Sequence, residues 1–204
     1  MPMLTLLACV TLPPPAAKTD QVTVRALVDE DWVGVRFDMA PGWHIYWVNP
    51  GESGMATSID GGGPVHYPGP ERFQSPGDIT NYGWGDHVVL LLEPPERITT
   101  LQIEWLACRE TCILQDATVQ VDPGLVNARL DKHVDALPRP VGELRVTRDG
   151  EWLEMAADDF FPYVETETNL LAMDATDGLL RLQVSGPLSG VARADDTFYE
   201  IEVP

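Results

Sequence analysis

The chain has 204 residues, of which 44% are hydrophobic, and its 32 acidic against 13 basic side chains give a formal net charge of −19. This length and composition are sufficient to bury a core, as one large domain or two small ones. The excess negative charge repels phosphate backbones, which argues against a nucleic-acid partner, and it disfavours broad adsorption to anionic lipid.

Residues 1–20 are predicted to be a leader and a linker. The first twelve residues are apolar and contain Leu6-Leu7-Ala8-Cys9, which resembles a bacterial lipoprotein cleavage box, with prolines following at 13–15. In that interpretation Cys9 carries lipid and anchors a periplasm-facing protein. The segment lacks the basic residues and the length of an ordinary secretion signal, so a plain tail stays an equal alternative.

The next hundred residues consist of short segments in which apolar and polar residues alternate with a period of two. This period predicts strands, and the Gly- and Pro-rich turns between them are typical of an antiparallel sandwich. We therefore expect one β-domain over residues 21–122. Its predicted strands are 22–28, 32–39, 43–48, 88–92, 101–108 and 118–121.

A short helix is predicted after Asp122-Pro123, because an N-cap residue is followed by a first-turn proline. Val126, Leu130, Val134 and Leu137 then fall on one helical stripe. Residues 123–140 are predicted to form this helical linker, and 141–204 a second, smaller β-domain. Its predicted strands are 144–147, 152–156, 179–184 and 198–203.

Apart from Cys9, the chain has two cysteines, Cys108 and Cys112. In an extended strand their Cα atoms would lie about 13 Å apart, whereas a disulfide needs roughly 7 Å or less. Both flanking segments have strand character, so residues 109–111 are predicted to be the loop of a hairpin that brings the cysteines face to face. A disulfide that closes so short a loop stabilises the fold by only about 2 kcal/mol. This small contribution to stability favours a role of the bridge in thiol exchange.

Two other interpretations of the pair stay open. In one, the bridge is a structural disulfide of a noncatalytic β-sandwich adaptor. In the other, the two thiols bind copper(I). The four histidines are scattered singly along the chain and add no second close pair, so the metal signal is weak and no metal or other cofactor is expected.

Four segments of the chain resemble the N-terminal periplasmic domain of the DsbD and ScsB group of thiol-disulfide reductases. They are 41–54 (PGWHIYWVNPGESG), 80–85 (TNYGWG), 105–113 (WLACRETCI) and, more weakly, 159–162 (DFFP). The resemblance implies that the first β-domain is an immunoglobulin-like sandwich. It also implies that the cysteine pair takes electrons from a membrane-embedded reductase and passes them to periplasmic thioredoxin-like proteins. A monomer suffices for this function.

The resemblance also assigns roles to individual residues. Cys112 would form the mixed disulfide with a partner, and Cys108 would resolve it. Tyr82, Gly83 and Trp84 would belong to an aromatic cap loop that shields the disulfide, although both aromatic side chains also suit an ordinary core. Trp43 and Tyr46 are candidates for partner docking, since interfaces favour Trp and Tyr.

Overall fold

The computed structural model describes residues 13–75 and 77–204. Cys9, the predicted lipidation site, lies outside this range. The strands of the first β unit are β1 (Ala17–Lys18), β2 (Val22–Val28), β3 (Val33–Met39), β4 (His44–Gly51), β5 (Ser58–Asp60), β6 (Val65–His66), β7 (Glu71–Ser75), β8 (Ile79–Gly85), β9 (His87–Leu92), β10 (Thr99–Cys108) and β11 (Cys112–Val121).

A single helical turn, α1 (Asp131–Val134), separates these strands from the second β unit. The strands of that unit are β12 (Val146–Asp149), β13 (Trp152–Met155), β14 (Asp159–Pro162), β15 (Leu170–Thr176), β16 (Leu179–Val184), β17 (Leu188–Ala194) and β18 (Thr197–Val203), with a 3-10 turn at Glu167–Asn169. The all-β prediction is confirmed.

The first unit is a sandwich of two antiparallel sheets. One has the strand order β1-β2-β3-β9-β6, and the other has the order β11-β10-β4-β8-β7, with β5 paired to β10. Alternate side chains of both sheets fill the space between them, and Phe37, Trp47 and Trp105 are fully buried there. The alternation of apolar and polar residues that predicted the strands therefore arises because every second side chain faces this core.

The short helix is present, but it starts later than the sequence pattern predicts. Before it, the backbone N–H groups of Asn127 and Ala128 donate to the carbonyl of Val28, and the Val28 N–H donates to Asn127 Oδ1. These bonds hold the chain extended along the edge of β2. Leu130 is fully buried while Val126 is exposed, so the predicted stripe does not form one packed face.

The second unit also contains two antiparallel sheets, with the orders β12-β13-β16-β15 and β14-β17-β18. Its own core includes Leu153, Phe160, Leu180 and Leu182. Phe161, on the opposite side of β14 from Phe160, instead packs into the core of the first unit. Neighbouring residues on one strand thus serve two cores, which joins the two units by apolar packing.

Polar contacts reinforce this junction. Arg72 on β7 donates two hydrogen bonds to the carboxylate of Asp159 and one to the carbonyl of Phe160. The Arg72 guanidinium also lies over the rings of Tyr82 and Phe161, at 5.0 and 5.4 Å from their centroids. The division of the chain into domains stays a prediction, with the boundaries 21–122, 123–140 and 141–204.

Within residues 13–75 and 77–204, no helix has the length and apolar character needed to cross a membrane.

Candidate functional site

The hairpin of β10 and β11 brings the two cysteines together. Cys108 and Cys112 are directly opposite each other in the strand register, and they form a disulfide with their Cα atoms 4.1 Å apart. The loop between them is closed by a hydrogen bond from the Arg109 N–H to the Thr111 carbonyl. The predicted three-residue hairpin loop is confirmed, and it places the disulfide at one end of the sandwich.

The two cysteines differ strongly in exposure. Cys108 is 2% exposed, because its strand is flanked by β4 on one side and β11 on the other. Cys112 starts β11, the edge strand of the sheet, and is exposed. Cys112 is therefore the more accessible residue of the pair.

Strand β4 supplies two rings that pack beside the disulfide. His44 is paired in register with Cys108, and the hydroxyl of buried Tyr46 lies 4.0 Å from the Cys112 sulfur. The His44 ring contacts the edge of Tyr46 and stacks on Phe73, at centroid distances of 5.2 and 4.9 Å. Three aromatic side chains from β4 and β7 thus form one packed group beside the bridge.

Burial sets the protonation of both rings. Desolvation lowers the pKa of His44 from its usual value, so the imidazole is neutral at pH 7. Desolvation raises the pKa of Tyr46, so its hydroxyl keeps its proton and faces the sulfur of Cys112 as a donor. These two rings beside the disulfide are therefore uncharged, and one of them offers a hydroxyl.

The solvent side of the site carries apolar groups and one cation. Ile113 and Leu114, which follow Cys112, are 38% and 59% exposed. The Arg109 guanidinium lies over the partly exposed ring of Trp43, 5.3 Å from its centroid. The predicted docking residue Trp43 is therefore at the site surface, whereas Tyr46 lies beneath it.

The structure places the predicted cap residues within a paired strand. Tyr82, Gly83 and Trp84 lie on β8, between β4 and β7. Trp84 is buried and donates from Nε1 to the carbonyl of Gly69, while the Tyr82 ring contacts Phe161. A Cβ at Gly83 would lie 2.0 Å from the Ile45 carbonyl, so glycine is required there for close strand packing. A role of this segment as a mobile cap stays a prediction.

A loop that was given no role from the sequence packs on Tyr46, although its first residues belong to the 41–54 segment. Residues 52–57, between β4 and β5, form a loop in which the backbone of Gly54 lies against the Tyr46 ring. A Cβ at Gly54 would be 2.3 Å from Tyr46 Cε1. The Gly51-Glu52-Ser53-Gly54 sequence was a usable signal, because two glycines so close together mark a loop that approaches another group closely.

No group of three or more His, Cys, Asp or Glu side chains is placed to hold a metal ion in the part of the chain that the structure describes. His44 Nε2 is buried without a hydrogen-bond partner among these residues.

Comparison with known families agrees with the geometry of the site. Residues 11–123, more than half of the chain, match the family described as "Thiol:disulfide interchange protein DsbD, N-terminal". The chain belongs to this family. Both cysteines, the β4 rings and the 52–57 loop lie within the matched range, so the predicted family is confirmed on the residues that build the site.

A solved structure from ScsB shows the same fold over a longer range. The N-terminal periplasmic domain of ScsB from Proteus mirabilis is similar with a TM-score of 0.68 and 19% identity, covering 91% of this chain and 93% of that one. The reduced N-terminal domain of Neisseria meningitidis DsbD is similar with a TM-score of 0.40 and 15% identity, covering 50% of this chain and 84% of that one. No curated protein sequence matches this chain. The ScsB similarity includes the second β unit, so both units belong to the shared fold.

Proposed function

We propose that this protein is a periplasmic thiol-disulfide exchange module. Its Cys108–Cys112 pair passes reducing equivalents between a membrane-embedded reductase and thioredoxin-like proteins, without a bound cofactor. The observation that carries the proposal is the asymmetry of the disulfide, in which Cys112 is an exposed residue on the edge strand and Cys108 is a buried residue on the neighbouring strand. Membership of the interchange family supports the same conclusion.

The exchange proceeds in two balanced steps. A thiolate of a reduced partner attacks the Cys112 sulfur, a new intermolecular S–S bond forms, and the Cys108–Cys112 bond breaks, with Cys108 leaving as a thiolate that takes a proton. The second thiol of the partner, as its thiolate, then attacks the partner's own sulfur in the mixed disulfide and releases Cys112. Two electrons and two protons have moved to this protein, and the reverse sequence returns them to an oxidised partner.

The surroundings of the pair suit a protein partner. The exposed side chains of Ile113 and Leu114 and the ring of Trp43 offer apolar contact area next to the sulfur that is attacked. The Tyr46 hydroxyl, behind Cys112, is a neutral donor that stabilises negative charge on this sulfur as it leaves. We assign docking to the first three residues and stabilisation of the thiolate to Tyr46.

The proposal predicts electron transfer between the oxidised protein and a reduced thioredoxin-like protein. After mixing, acid quenching and alkylation with a maleimide reagent that adds mass, the wild-type chain is expected to gain two alkylated thiols at Cys108 and Cys112. The same chain treated with dithiothreitol marks the position of the fully reduced form. The Cys108→Ser/Cys112→Ser double variant is the control and is expected to transfer nothing.

A structural disulfide gives a different pattern in the same experiment. The bridge would then be reduced by concentrated dithiothreitol but would stay oxidised in the presence of the reduced protein partner. That outcome would reject the exchange function.

A further inference from the structure

The redox site is connected to the second β unit by a series of hydrogen bonds and packing contacts. It begins at Tyr46, whose hydroxyl lies 4.0 Å from the Cys112 sulfur and whose ring is covered by the backbone of Gly54. The carbonyl of Tyr46 also accepts a hydrogen bond from the Thr57 N–H, at 3.2 Å. The 52–57 loop therefore contacts Tyr46 at its middle and at its end, and the position of the ring depends on the position of the loop.

Two buried asparagines anchor the start of this loop. Asn81 Oδ1 accepts from both the N–H and the hydroxyl of Ser53, at 3.1 and 3.0 Å. Asn49 Oδ1 accepts from the Gly51 N–H at 2.9 Å. Both asparagines are 1% exposed, so their amide groups depend on these protein partners rather than on bulk water.

Asn49 also reaches the second β unit. Its Nδ2 donates to the carbonyl of Pro162 at 2.9 Å and to Glu167 Oε2 at 2.8 Å. One amide group therefore uses its oxygen on the last residue of β4, directly before the 52–57 loop, and its nitrogen on two groups of the second unit. Glu167 is the charged and only partly buried member of this set, and it orients the amide so that the oxygen faces Gly51.

We propose that Asn49 and Glu167 are positioning residues for the redox site, through which the second β unit holds the 52–57 loop and Tyr46 against Cys112. This inference rests on the proposed exchange function for its significance. When the Glu167 contact is lost, the loop opens more often, Tyr46 leaves Cys112, and the sulfur becomes accessible from a second side. The rate at which a small thiol reduces the disulfide then rises.

Glu167→Ala tests this inference in the full chain. The second-order rate constant for reduction of the oxidised protein by dithiothreitol is expected to rise about fivefold, as for loss of one ordinary hydrogen bond from a local opening equilibrium. Glu167→Gln keeps an oxygen acceptor and is expected to stay within about twofold of wild type. Glu165→Ala is the matched control, because it removes the same charge from an exposed side chain two positions away.

The thermal unfolding midpoints of the three variants are measured alongside, so that faster reduction is distinguished from general loss of stability. An unchanged rate in Glu167→Ala, or an equal rise in Glu165→Ala, would overturn the inference. Dithiothreitol is not a protein partner, so this test is independent of the test of exchange. The rate difference without exchange would reject only the proposed function. Exchange without the rate difference would reject only the positioning role of Glu167.

Discussion

Replacing Cys108 by serine is expected to leave a protein that forms a mixed disulfide readily, whereas replacing Cys112 is expected to leave one that reacts slowly. In the first variant the remaining thiol is exposed at the start of β11, and in the second it is 2% exposed between two strands. Reactivity of a thiol follows its accessibility as well as its thiolate fraction. We expect the rate constants with an aromatic disulfide reagent to differ by about tenfold or more.

The two variants are compared in a Cys9→Ser background, so that each protein contains one thiol. Colour released by the reagent gives the rate, and the same proteins unfolded in guanidinium give the reference, in which the two cysteines should react alike. Equal rates in the folded variants, or faster reaction at Cys108, would contradict the assignment of Cys112 as the sulfur that partners attack.

Replacing Arg72 by methionine is expected to lower the free energy of unfolding by about 3 kcal/mol. The substitution leaves the Asp159 carboxylate, whose side chain is only 11% exposed, without its ion-pair partner at the junction of the two units. It also removes the hydrogen bond to the Phe160 carbonyl and the contacts with the Tyr82 and Phe161 rings. Denaturant unfolding followed by tryptophan fluorescence measures the loss.

Arg181→Met is the matched control for this prediction. Arg181 also pairs with a carboxylate, that of Glu154, and lies over an aromatic ring, that of Trp152, but the two charged side chains are 44% and 37% exposed. Exposed ion pairs contribute little, so a loss below about 1 kcal/mol is expected. Similar losses of unfolding free energy in the two variants would contradict the prediction that the less exposed Arg72–Asp159 pair stabilises the fold more than the Arg181–Glu154 pair.

The sequence predicts the parts of the fold that depend on local pattern. Strands β2, β3, β4 and β10 were predicted within a few residues from the alternation of core-facing residues. Strand β9 was predicted from a continuous apolar run, and both of its faces are buried. β8 was missed as a strand, since its two glycines interrupt the alternation. The helix was placed too early, because Val28 and Asp29 hold residues 127–130 by hydrogen bonds that the pattern does not contain.

The candidate site also has features that follow from local sequence pattern and features that depend on distant contacts. The disulfide hairpin was predicted from the Cys108–Cys112 spacing and the strand character of the two flanking segments, because a turn of three residues can join two such strands. The covering of Tyr46 by Gly54 and the link from Asn49 to Glu167 were not predicted. These contacts join residues that are up to 118 positions apart. In the sequence, Asn49 precedes Pro50 and Gly51 and is therefore typical of an ordinary turn.

The reduction potential of the Cys108–Cys112 pair tests the central claim most directly. The oxidised protein is equilibrated in thiol-disulfide buffers of graded potential, quenched, alkylated and quantified by mass. An exchange-active bridge is expected to have a potential above about −300 mV, within reach of thioredoxin-like partners. A potential clearly below about −300 mV would identify a structural disulfide and contradict the account.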